Sequence, residues 1–172
     1  LGLEIASHMS RISSTPTRRI LFRYYINDSW FAGVPWYDYY NREPFDIYCP
    51  LSVSRLSETG KAESATDFNV MTANTGYGEM PTTQAVEVTP HVRRAFNLLP
   101  DEAGPLVWVY PFSEVQDETH KVSDALPKAF FGDWLIARAI QAGLPLNTVV
   151  STDTFAKLMA DRPETFAGRT LV

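Results

Sequence analysis

The chain has 172 residues, enough for one domain with a proper core or for one small domain and part of another. Apolar residues make up 45% and charged residues 20%, the balance of an ordinary globular protein. A formal charge of −5 argues against nucleic acid as a partner, because phosphate binding needs a basic face, and no apolar run reaches the length of a membrane span.

Residues 1–10 include the pair His8-Met9, a pattern left by cloning junctions, and are read as a vector-derived tail outside the fold. No secretory signal is present, which leaves the compartment open with the cytoplasm slightly favoured. Ile20 to Ile26 (ILFRYYI) reads as a strand bounded by arginine and by Asn27-Asp28. Overlapping it, Phe22 to Tyr48 holds half of the chain's Phe, Tyr and Trp residues. Rings interleaved with short hydrogen-bonding groups suit a neutral polyhydroxylated ligand, since sugar C–H faces stack on rings and hydroxyls need paired donors and acceptors. Trp30, Trp36, Tyr37 and Tyr39, with Asp38, Glu43 and Asp46, are the ligand-binding candidates here. They sit among Gly33, Pro35 and Pro44, which form turns. The ordinary alternative is that the rings are core and the acids cap turns.

Ile47 to Val53 (IYCPLSV) is apolar but carries Pro50, which reads as an edge or bulged strand. Ser57 to Lys61 is a turn, Ala62 to Thr66 a polar loop, and Phe68 to Thr72 a short strand. Asn74 to Pro81 (NTGYGEMP) is a glycine-bearing loop. It lacks the third glycine and the Lys-Ser/Thr of a phosphate loop, so nucleotide binding is not expected. Tyr77 and Glu79 in this loop join the candidate site, because Gly76 and Gly78 permit close approach of a ligand.

Thr89-Pro90 reads as a helix start, with Val92, Ala95, Phe96 and Leu99 on one stripe and Pro100 as the stop. Leu106 to Tyr110 (LVWVY) is a non-alternating apolar run, the mark of a strand buried in a parallel sheet. The polar stretch Phe112 to Asp124 follows its carboxyl end, where open α/β sheets place ligands, and contributes Glu114 as a second candidate acid. Ala125 to Ala142 reads as a helix stopped by Gly143, Leu146 to Ser151 as a buried strand, and Thr152 or Asp153 as the cap of a short helix. Arg169 to Val172 opens a strand on which the sequence stops, which suggests a piece of a longer protein.

The expectation is therefore an α/β fold. Its C-terminal half, residues 104–172, is a parallel β-α-β-α-β sheet in three layers. Its N-terminal half, residues 11–103, consists of irregular strands and long aromatic loops with little helix. One cysteine, Cys49, excludes an intramolecular disulfide, and three scattered histidines give no metal-ligand spacing. No metal and no cofactor are expected, and no Gly-x-Ser-x-Gly elbow is present. His91 reads as a solvated helix residue.

The segments LVWVYPF, FFGDWLIARAIQAGLPLNTVVSTDTF and FAGRTLV resemble the glutamine-amidotransferase-like, flavodoxin-like domain that follows the barrel in β-galactosidase-type glycoside hydrolases. There a strand leads to a long helix ending in AG(I/L)P, and the next strand carries VV…D. A third strand reads LVVP, for which RTLV would be the opening. The likeness covers about Pro105 to Val172. More loosely, PWYDYYNREPFDIYCPLSVSRL and TGYGEMP are similar to the end of the family's (β/α)8 barrel. The resemblance implies a fragment or subunit of an enzyme acting on a β-galactoside-like glycan. Such hydrolysis needs two carboxyl groups, about 5–5.5 Å apart for retention and about 6.5–9.5 Å for inversion. Glu79 and Glu114 are the catalytic candidates, with a capping or solvated acid as the plain alternative for each. A carbohydrate ligand is the expected partner, and self-association is left open. Two competing readings stand beside this one: a non-catalytic glycan- or protein-binding module, and a self-contained small α/β protein of unrelated activity.

Overall fold

A computed structural model of the chain describes residues 19–27, 45–72, 82–121, 138–139 and 141–172. It is an α/β protein divided into two compact units, and the chain passes between them after Ser52, Ser64 and Leu99.

The first unit, formed from residues 53–64 and the described residues from 100 onward, is built on a mixed, mostly parallel sheet of five strands. These are β2 (Ser54–Leu56), β3 (Ala62–Glu63), β5 (Leu106–Tyr110), β6 (Thr148–Ser151) and β7 (Thr170–Leu171), in the order β3-β2-β6-β5-β7. The β2–β3 pair is antiparallel, joined by the expected turn, in which Ser57 N–H bonds the Lys61 carbonyl at 2.9 Å. The other three pairs are parallel. The apolar runs at Leu106 and Leu146 do form adjacent parallel strands. Thr148, Val149 and Val150 are all fully buried, so consecutive residues pointing to opposite faces are both covered. Helix α4 (Thr152–Asp161) follows β6, capped by Ser151, whose hydroxyl accepts from Thr154 N–H at 3.3 Å. The cap is one residue earlier than the sequence suggested. Leu158 of α4 meets Leu56, Val107, Val150 and Phe166 in one core cluster. Gly143 has φ +77 and the Leu144 N–H reaches back to the Ala139 carbonyl, a left-handed helix stop with Pro145 beyond it.

Helix α3 (Phe112–Lys121) corrects the expected polar loop after β5. Its composition is polar because most of its described side chains are exposed. Its charges still suit a helix, with Glu114 in the first turn and His120 and Lys121 in the last. Lys121 lies 3.6 Å from Asp117 one turn back.

The second unit, residues 18–52 and 65–99, contains a parallel pair and two helices among the described residues, more helix than expected. Strand β1 (Leu21–Asn27) pairs with β4 (Asp67–Thr72), as both predicted strands require. The stretch from Ile47 is a helix and not an edge strand: α1 spans Phe45–Leu51. Ile47 and Leu51, one turn apart, are 0% and 1% exposed, and that four-residue spacing is the helical signal that Pro50 obscured. Helix α2 (Thr82–Asn97) starts well before Thr89, and Pro90 lies inside it. The predicted stripe extends back one turn to Val88, which is buried with Ala95 against Ile47, Leu51 and Ala65. Pro90 is exposed on the opposite side, so packing of the stripe overrides the break that proline favours.

Candidate functional site

Both strands of the β1–β4 pair run the same way, so two chain segments leave from one end of it. At the opposite, amino end the pair is clamped. Ile20 N–H donates to the Thr66 hydroxyl at 2.8 Å, and the Ile20 carbonyl accepts from Thr66 N–H at 2.9 Å and Asp67 N–H at 3.1 Å. Arg19 grips Asp67 with two bonds, Nε to Oδ2 at 3.0 Å and NH2 to Oδ1 at 2.6 Å. Those bonds, with the Thr66 hydroxyl, hold the Asp67 carboxyl below the usual carboxylate range.

At the carboxyl end, Asn27 and Thr72 are register partners. One residue earlier the register slips: Tyr25 faces Met71 and Asn27 faces Thr72, which leaves Ile26 as an extra residue on β1. Such bulges twist a strand and occur beside active sites and at barrel rims. From these two adjacent ends the chain continues into residues 28–44 and 73–81, and it returns as α1 and α2. Two strand–segment–helix units in parallel are the arrangement by which barrels and open α/β sheets gather ligand-facing residues at one edge.

Trp30, Trp36, Tyr37, Asp38, Tyr39, Glu43, Tyr77 and Glu79 lie outside the described residues. Asp46 is the second residue of α1, described in its backbone only. Glu114 is exposed on the first turn of α3, four residues past the end of β5, and forms no ion pair among the described residues. It belongs to the five-stranded unit, whereas β1, β4, α1 and α2 belong to the other.

A polar pair that the sequence reading missed joins α1 to α2. The Tyr48 hydroxyl lies 3.1 Å from His91 Nδ1, with the two rings edge-on at 6.0 Å, and the Arg94 guanidinium sits 6.0 Å from the centre of the Tyr48 ring. His91 is thus half-buried and bonded, not solvated. Recognising α1 as a helix was the signal needed, because only then does Tyr48 face α2. The outer side of α2 forms an open groove of about 710 Å³ that includes Val86, Pro90, Arg93 and Arg94. Cys49 is a partly buried thiol outside any disulfide. Among the described residues no three His, Cys, Asp or Glu side chains cluster as a metal site would require, and no helix is long and apolar enough to cross a membrane.

The chain shows no significant match to any family model, to any curated protein or to any solved structure.

Proposed function

We propose that this chain is part of a carbohydrate-active protein of the β-galactosidase type, acting on a β-galactoside-like glycan by ring stacking and a carboxylate pair. One observation carries the reading: the aromatic segment and the Glu79 segment issue from neighbouring carboxyl ends of one parallel pair, at a bulge, and return as helices. A site at such an edge would present Trp30, Trp36, Tyr37, Tyr39 and Tyr77 to the C–H faces of a sugar. Asp38, Glu43 and Asp46 would accept from its hydroxyls. Glu79 would be one member of the pair that flanks the scissile bond.

The exposure of Glu114, outside any described cleft, favours a second reading in which the aromatic surface binds a glycan without turnover. A glycan array on the protein, followed by chromogenic β-galactosides, separates the two. Binding with hydrolysis that Glu79→Gln abolishes supports the first, and binding without hydrolysis supports the second. Trp36→Ala and Tyr37→Ala should each weaken glycan affinity by about 1–2 kcal/mol while leaving the fold intact. Unchanged affinity in both variants would remove the aromatic segment from the site.

A further inference from the structure

The bulge at the carboxyl end of the β1–β4 pair decides which residue of β1 stands beside Thr72. From Leu21 with Asp67 to Tyr25 with Met71 the two strands match one residue to one. Continued without interruption, that register would set Ile26 against Thr72. The extra residue moves the match on by one, and Asn27 takes the place. The last row of the pair therefore joins an amide residue to a hydroxyl residue, where an uninterrupted pair would hold isoleucine.

That row has the chemistry of a neutral, hydroxyl-rich ligand. An amide offers two donors and an acceptor oxygen, and a hydroxyl offers one donor and an acceptor oxygen. Neither residue type is charged, so the row attracts no ion in particular. Neighbouring strands lie about 4.8 Å apart, close enough for both residues to serve one small ligand. The amino end of the same pair differs in kind: Arg19 and Asp67 close it, and each charge there answers the other. In barrels and open α/β sheets the ligand lies at the carboxyl edge, against the residues with which the strands end.

We infer that Asn27 and Thr72 are specificity-determining residues of the glycan site proposed above, each exchanging a hydrogen bond with one hydroxyl of the sugar. The inference rests on that reading and adds two residues chosen by register, not by ring or acid content. It is tested on the whole chain by calorimetric titration with methyl β-galactoside and its monodeoxy derivatives. Asn27→Ala and Thr72→Val should each weaken binding of the parent sugar about threefold to tenfold, the contribution of one neutral hydrogen bond. Each variant should bind one deoxy derivative as well as the unaltered protein binds it, because the missing hydroxyl and the missing side chain belong to one bond. Thr72→Ser, which keeps the hydroxyl, should bind the parent sugar almost as the unaltered protein does. A role confined to ending the strands gives another result. Thermal stability falls, and affinity is either unchanged or lowered equally for the parent sugar and every deoxy derivative. Either outcome overturns the inference. Trp36→Ala and Tyr37→Ala separate it from the reading beneath it: if they weaken binding and Asn27→Ala and Thr72→Val do not, the aromatic site stands and this pair falls. If the unaltered protein binds no β-galactoside, the site and the pair fall together.

Discussion

Gly60 lets the β2–β3 hairpin approach the turn at Thr165, and replacing it by alanine gives a prediction with its own controls. Gly60, Gly143 and Gly168 have φ of +79, +77 and +73, so an added Cβ carries the same left-handed strain at all three, about 1–2 kcal/mol. Their surroundings differ. A Cβ at Gly143 or Gly168 meets nothing within 4 Å, whereas at Gly60 it would lie 2.9 Å from Thr165 Oγ1 and 3.4 Å from its Cγ2. Threonine is stiff at its first torsion and cannot swing away freely, so a further penalty of about 1 kcal/mol is expected. Gly60→Ala should therefore destabilise by about 2–3 kcal/mol, against about 1–2 for Gly143→Ala and Gly168→Ala. At about 4–8 °C per kcal/mol for a unit of this size, Gly60→Ala should melt about 4–8 °C below the two controls. Thr165→Ala in the Gly60→Ala background should recover the excess and leave only the backbone strain. Urea denaturation followed by tryptophan fluorescence reads all four proteins. Equal losses at the three glycines would refute the close approach of hairpin and turn.

Other outcomes follow from single contacts within each unit. Tyr48→Phe removes the hydroxyl beside His91 Nδ1 and should cost about 1 kcal/mol, read as faster amide exchange in α1 and α2 and unchanged exchange in β5 and β6. Ser151→Ala deletes the cap of α4 and should cost about 1 kcal/mol in the same denaturation assay, while Ser151→Thr costs less. Asp67 titrates lower in the folded chain than in the unfolded one, so the Arg19 clasp contributes fully above about pH 4 and fades as pH falls through the depressed value. Lys157 is raised by Glu58, 2.5 Å away, so its contribution is full below about pH 10 and fades as pH rises through the raised value. Asp67→Asn should flatten the acid limb of the stability profile and Lys157→Met the alkaline limb. A profile unchanged by either substitution would deny that ion pair a role.

What could be read from the chain alone was whatever a single local pattern decides. LVWVY and LNTVVS, short apolar runs between turn residues, gave two strands that are parallel neighbours, and Gly143-Leu-Pro gave a helix stop with the bond pattern expected. Errors arose where two signals conflicted. Pro50 and Pro90 pointed to a strand and to a helix start, yet both sit inside helices whose buried stripes, Ile47 with Leu51 and Val88 with Ala95, outweigh one lost hydrogen bond each. FSEVQDETHK looked like loop because its side chains are polar, but polarity marks exposure and not irregular backbone. Of the candidate site, the carboxyl-end geometry was legible only in part. The strands ILFRYYI and FNVMT were recognised separately, while their parallel pairing joins residues 40 or more apart and leaves no local trace.

Residues 53–64 contribute the two strands at one side of a sheet whose other strands come from beyond residue 100, and this interleaving limits how the protein can be cut or exchanged. A gene segment starting at residue 100 would encode β5, β6 and β7 but leave Thr148 and Val149 without Ser54 and Arg55 beside them. Neither body is a contiguous cassette: a breakpoint at residue 100 keeps residues 18–52 and 65–99 on one piece but splits the five-stranded unit. Synthesis from the amino end meets the same constraint: β2 emerges from the ribosome long before β6 and must wait, unpaired on that side, until Ser54 can bond Asn147, 93 residues downstream and next to β6.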